Sequence, residues 1–297
     1  MDSITLTCGG YAIAVYHQSG SSGEKIVFLH GGGLDSAMLS WKEVIAQLGG
    51  AYDVYAIDLL GYGASDKPDV AYSIPFYTEL MRDVLRQLNI EKAHFVGLSM
   101  GGGIGIDFSL KYPSLVETLV LVDALGLYNR MPFHRLCWWL VNSPLNTKSY
   151  TWMAKSRGRV KWVLTASLFG DKRKATDELL EELFELVRQP DCNKAWERFQ
   201  RYELGKTKLT TDLFSHLSEL TMPVLLVNGD KDAGVPLKSA VAAQSIIPNS
   251  RLYVMKGCRH WPQKERPEEF TQAVKAFWAG TRSTGCRVAE DAAAGGK

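Results

Sequence analysis

A glycine-flanked serine, an aspartate-bearing turn and a late histidine are the residues whose types and order could perform covalent chemistry. Gly97-Leu98-Ser99-Met100-Gly101 follows a β-type run, His94-Phe95-Val96, and opens a helix-like segment ending near Tyr112-Pro113. A G-x-S-x-G turn between strand and helix lifts the serine hydroxyl clear of the sheet and points the next backbone N–H at the same space. Small residues let such a turn close, and Gly102 and Gly103 leave further room for a substrate. A serine hydroxyl is a weak nucleophile near neutral pH, so it needs a base to take its proton and an acid to orient that base.

His260 is the base expected from its position. It lies in the loop after the last strand-like run, Leu252-Tyr253-Val254-Met255, and catalytic groups gather at the carboxyl ends of parallel strands. His17 lies beyond a hairpin, His94 precedes the elbow in the core, and His134 and His216 belong to or border a helical interruption. The acid should follow Val224-Leu225-Leu226-Val227, where Asp230 and Asp232 compete within Asn228 to Pro236. Asp232 is preferred, because a few residues of turn are needed before a carboxylate can face back toward His260; Asp230 suits a turn-stabilising role. Asp123, at the end of the preceding strand, is a further acid position. Negative charge on a substrate oxygen requires backbone donors, and His30-Gly31-Gly32-Gly33 follows the first buried strand. Gly32 and Met100 are the expected donors, with Gly33 and Leu34 as alternatives. These glycines match neither phosphate-loop pattern.

The elements that must position these groups alternate. Ile4-Thr5-Leu6 and Tyr11 to Val15 form a hairpin around Gly9-Gly10. Ile26-Val27-Phe28-Leu29, a run apolar enough for burial on both faces, precedes a helix carrying Trp41, Val44, Ile45 and Leu48. Val54 to Ile57 repeats the strand signal, and Ser73 caps a helix with Tyr77, Leu80, Met81, Val84, Leu85 and Leu88 on one face. After the elbow comes Leu119 to Val122. The alternation then stops and resumes at Val224, with a helix from Val241 to Ile247 and a last one bearing Phe270, Val274 and Phe277. Repeated strand–helix units predict an α/β fold: a doubly wound, mostly parallel sheet with an inserted helical cap.

The core is expected over 1–125 and 205–280, the cap over 126–204 and a disordered tail over 281–297. Thr176 caps a cap helix with Leu179, Leu180, Leu183, Phe184 and Val187 along one side. Trp138, Trp139, Trp152, Trp162 and Trp196 favour an apolar lid; most should build its core, with one or two lining a pocket. A basic segment, Lys148 to Lys174, and an acidic one, Asp177 to Glu185, suit a solvated, two-faced cap.

The 297 residues, 46% hydrophobic with net charge +2, fit an ordinary globular protein and imply no nucleic-acid partner. No stretch reads as a secretory signal or bilayer-crossing helix, so a cytoplasmic protein without membrane insertion is expected. The five cysteines lack C-x-x-C spacing, and neither disulfide framework, metal nor organic cofactor is expected.

From Ile26 to about Ala279 the chain resembles the α/β-hydrolase family. The resemblance rests on His30-Gly31-Gly32, Asp58 to Ser65, the Gly97–Gly101 elbow, Gly229-Asp230-Lys231-Asp232 and Gly257 to Pro262. The chain order Ser99, Asp232, His260 is that family's nucleophile–acid–histidine order. A serine at the elbow sets the chain apart from branches that use aspartate. Ser99-Met100-Gly101-Gly102 and Trp261 also resemble carbon–carbon bond hydrolases acting on aromatic ring-fission products. Those generally carry asparagine before the nucleophile, where this chain has Leu98, as esterases, enol-lactonases and lipases do. The resemblance therefore implies hydrolysis of a small apolar carboxylic ester through an acyl-enzyme, with Gly33, Leu34, Leu98 and Trp261 at the substrate. Carbon–carbon cleavage is the alternative, and a ligand receptor on the same fold a third possibility.

Overall fold

The computed structural model describes residues 1–294, with side chains described through Thr281. The tail expected over 281–297, Cys286 included, lies beyond these described side chains except for Thr281. Eight strands form one sheet in the order β1-β2-β4-β3-β5-β6-β7-β8. β1 (Asp2–Cys8) and β2 (Tyr11–Gln18) are the predicted hairpin, with Gly9 and Gly10 at φ 57° and 85° in its two-residue turn. β2 pairs antiparallel with β4 (Asp53–Ile57). From β4 onward, β3 (Lys25–Leu29), β5 (Ala93–Leu98), β6 (Val116–Val122), β7 (Val224–Gly229) and β8 (Ser250–Met255) are parallel.

Alternating residues of one strand enter different cores. Val27 and Leu29 pack with α2 (Ile74–Gln87) and α3 (Met100–Lys111), whereas Ile26 and Phe28 pack with α1 (Ala37–Leu48) and α11 (Pro267–Ala294). Burial on both faces is why these strands read as continuous apolar runs. Ser36 and Ser73 begin α1 and α2 by accepting the N–H groups of Leu39 and Phe76. α9 (Leu237–Ile246) starts four residues before the expected helix, immediately after Pro236, whose extended backbone precedes the first turn.

Between β6 and β7 the chain runs through α4 (His134–Val141), α5 (Leu145–Met153), α6 (Arg157–Val163), α7 (Asp177–Arg188) and α8 (Lys194–Glu203). Thr176 caps α7, and Leu179, Leu180, Leu183 and Val187 are its buried face. The Arg157–Glu181 ion pair, 3.1 Å, joins the basic and acidic segments. The tryptophans depart from expectation. Trp139, Trp152 and Trp162 are exposed, Trp152 and Trp162 packing edge to face at 6.0 Å, because these short helices offer no interior deep enough for all the rings. Among the described residues, no helix is long and apolar enough to cross a membrane.

Candidate active site

Ser99 connects β5 directly to α3 with φ 50° and ψ −113°, a conformation that costs a non-glycine residue roughly 1–3 kcal/mol. The turn is held by its own backbone. Ser99 N–H donates to the Val122 carbonyl at 2.9 Å, and the Ser99 carbonyl accepts from Gly103 (3.1 Å) and Leu125 (2.9 Å). A Cβ at Gly97 would strike the Gly101 backbone, and one at Gly101 the carbonyls of Leu29 and His30, so the motif's glycines are needed for close approach.

The candidate acid and base emerge from the next parallel strands. Asp232 Oδ2 lies 2.6 Å from His260 Nδ1, and Asp232 Oδ1 accepts the Gly234 N–H at 2.7 Å. Burial pushes the Asp232 carboxyl upward, but the facing His260 charge, with hydrogen bonds from His260, Gly234 and Val235, outweighs it and leaves the group below its ordinary value. With Nδ1 held by the carboxylate, Nε2 is the ring nitrogen left available for proton exchange, and Ser99 and His260 line the same cavities. Asp230 instead accepts the Gly257 N–H at 2.6 Å, tying the two loops together.

Asp123 has a different place. It immediately follows β6 at φ 40°, is fully buried, and accepts the Gly229 N–H at 3.1 Å. Its carboxylate, that of Asp232 and the His260 ring come within 4.8 Å of one another. Burial, then the Asp232 charge and a hydrogen bond with Asp232, raise Asp123 well above the usual carboxylate range.

The glycine loop after β3 is braced from below. His30 Nε2 accepts the Leu59 N–H at 3.0 Å while Nδ1 faces the Gly31 carbonyl at 2.7 Å. Buried Asp35 accepts from Gly31 N–H at 2.8 Å and from the Ser40 hydroxyl. Gly32 lies against the Trp196 ring, which a Cβ there would strike. Met100 is the first residue of α3, where an N–H has no acceptor within its own helix.

Two cavities open over Ser99. The larger, about 480 Å³, is lined by Met100 and by residues of α4, α5 and α8; the smaller, about 380 Å³, by Gly31, Gly32, Gly33, Leu34, Trp261 and residues of α5 to α7. Leu98, expected at the substrate, lines neither. As the last residue of β5 it points into the α1 and α11 side of the core, the direction strand alternation imposes on the residue before the elbow.

Three contributors carry no motif. Trp196 lines both cavities, stacked on Phe199 at 5.5 Å. Glu203 accepts from the Ile74 N–H at 2.8 Å, clamping α8 to α2. Glu265 in α10 (Pro262–Glu265) accepts the N–H groups of Gly170 (2.9 Å) and Asp171 (2.8 Å), fastening the His260 loop to the inserted helices. The buried acids could have been marked as anomalies in apolar surroundings, but their partners lie far away in sequence.

Residues 25–267 match the family described as the alpha/beta hydrolase fold. An uncharacterized Mycobacterium tuberculosis protein is 31% identical over 267 residues, covering 86% of this chain and 75% of that one. The 2-hydroxy-6-oxo-6-(2'-aminophenyl)hexa-2,4-dienoic acid hydrolase of Metapseudomonas resinovorans is 27% identical, covering 86% and 84%. Among solved structures, a meta-cleavage product hydrolase from Pseudomonas fluorescens superposes with TM-score 0.77 at 25% identity, covering 94% of this chain and 98% of that one. A serine hydrolase of carbazole degradation gives 0.78 at 25% identity, with the same coverage. With its sheet order, its serine elbow and a match across most of its length, the chain belongs to the α/β-hydrolase fold family.

Proposed function

We propose that the protein is a serine hydrolase that cleaves a carbon–carbon bond next to a ketone through an acyl-enzyme. The observation that carries the nucleophilic part is Ser99 in its strained elbow, on the walls of two cavities it shares with His260, itself held by Asp232 at 2.6 Å. The bond type is supported by the relatives named as dienoic acid and semialdehyde hydrolases. Ser99 Oγ attacks the carbonyl carbon while His260 Nε2 takes its proton. The N–H groups of Gly32 and Met100 hold the oxyanion. As the tetrahedral adduct collapses, the carbon–carbon bond breaks, its electron pair passes into the conjugated remainder, and His260 protonates the leaving carbon. Water, deprotonated by His260, then attacks the acyl-enzyme and releases the acid and free Ser99.

Ester hydrolysis by the same groups is the second reading, the leaving oxygen taking the proton in place of carbon. Leu98 favours it as the residue type that esterases, enol-lactonases and lipases carry before the nucleophile.

A fluorophosphonate should label Ser99 in the parent and not in Ser99→Ala, which should lower turnover by roughly 10⁴–10⁶. Absence of labelling at Ser99 overturns the nucleophile. A conjugated 1,5-diketone consumed faster than a matched p-nitrophenyl ester supports the carbon–carbon reading, and the reverse order supports the ester.

A further inference from the structure

The two cavities carry information about charge that the family resemblance does not. Among the described residues lining them there is no lysine or arginine. Basic side chains are plentiful in the inserted helices, but Lys148, Lys155, Arg157 and Lys161 are exposed on their outer surface. The carboxylate in the larger cavity wall, Glu203, is already engaged by the Ile74 N–H (2.8 Å), the Thr211 N–H (3.1 Å) and the Thr211 hydroxyl (2.9 Å), and its sign repels an anion. The smaller cavity is walled mainly by Leu34, Met153, Val160, Leu164, Leu183 and Trp261.

Shape adds a second constraint. Ser99, His260 and Trp196 belong to both cavities, so a carbonyl at Ser99 extends one substituent into each. The larger cavity also holds a neutral polar pair, Asn146 Nδ2 donating to Gln200 Oε1 at 3.1 Å, which leaves amide donors and acceptors for an uncharged oxygen or nitrogen.

Resting on Ser99 as the nucleophile, we infer that the substrate is an uncharged acyl compound with two sizeable arms and no carboxylate on either. A carboxylate carried at the far end of either arm, away from His260, would leave water without gaining a lysine or arginine partner, and an unpaired charge in such surroundings is strongly disfavoured. This sets the chain apart from relatives whose names specify dienoic acids or dienedioates, and it applies to a ketone and an ester alike.

The test is a pair of esters alike but for the terminal charge, p-nitrophenyl hexanoate and mono-p-nitrophenyl adipate. The hexanoate should have a kcat/KM about 100-fold higher. Ser167→Arg, which sets a guanidinium on the wall of the smaller cavity, should shift that ratio about tenfold toward the adipate. Adipate turned over within tenfold of hexanoate by the parent overturns the inference. Calorimetry on Ser99→Ala separates this from failure of the nucleophile. If neither ester is hydrolysed, binding of 6-undecanone but not 6-oxoundecanoate still supports the inference, and equal or tighter binding of the oxo-acid, or binding of neither, overturns it.

Discussion

Asp123 and Asp232 meet in the interior beside His260, their carboxyl oxygens and the imidazole within 4.8 Å of one another, and the two acids are shifted in opposite directions. Asp123 is pushed well above its usual value by burial and by the Asp232 charge. Asp232, although buried, is held below its own by the opposing His260 charge and its hydrogen bonds. A proton kept on Asp123 would let it donate to Asp232 while Asp232 remains the negative partner of the imidazole.

Asp123→Asn keeps an acceptor for the Gly229 N–H and a donor toward Asp232, and asparagine tolerates a positive φ. A carboxyl whose folded value is raised contributes stability that is complete below its unfolded value, about 3.9, and is lost as pH rises through the folded value. Asp123→Asn escapes that loss. Its melting temperature relative to the parent should therefore climb between pH 4 and pH 8; a constant difference would falsify the upward shift of Asp123. Asp123→Ala should cost about 1–3 kcal/mol by orphaning a buried N–H.

Asp232 behaves in the opposite sense. Its lowered folded value gives stability that is present above about pH 3.9 and lost as pH falls through the folded value. Asp232→Asn should be less stable than the parent at pH 7, with the gap closing toward pH 2, and should reduce kcat on the order of 10⁴ while Ser99 stays in its elbow. A stability gap independent of pH would speak against the ionised Asp232–His260 pair.

Glu265→Ala would leave the part-buried N–H groups of Gly170 and Asp171 without their acceptor, a cost of up to roughly 1–3 kcal/mol for the two together. Because the same loop carries His260, kcat should fall along with the urea midpoint. Glu265→Gln, which retains one oxygen acceptor, should recover part of both. Wild-type stability in Glu265→Ala would rule out the clamp.

Gly32 and Trp196 should be coupled. Gly32→Ala drives a methyl group into the Trp196 ring and should displace the proposed oxyanion donor, with an expected loss on the order of 10²–10³ in kcat. Trp196→Ala removes the obstacle and joins the two cavities. In a double-mutant cycle the pair should lose less than the sum of the singles, by about 1–3 kcal/mol. Strict additivity would mean that the ring does not set the position of the loop.

Much of the site was legible before any fold was known, because its parts are local. Ser99 announces itself through the small residues that let strand turn into helix, and His260 through its place after the last strand. Preferring Asp232 to Asp230 required only counting how much turn a carboxylate needs to face back, and the 2.6 Å contact agrees with it. The sheet was equally readable, since burial on both faces leaves unbroken apolar runs such as Ile26 to Leu29.

Tertiary structure alone decided the side-chain meetings between distant segments. Sheet order sets β6 beside β7, and only that places Asp123 against Asp232. The path of the inserted helices brings Trp196 down on Gly32 and Gly170 against Glu265, whereas the lack of depth among those helices leaves three tryptophans in solvent. Leu98 shows the boundary between the two kinds of knowledge. Sequence placed it at the nucleophile, and the pleat of β5 turned its side chain into the core, because a motif encodes the path of the backbone and the packed sheet determines which face each side chain takes.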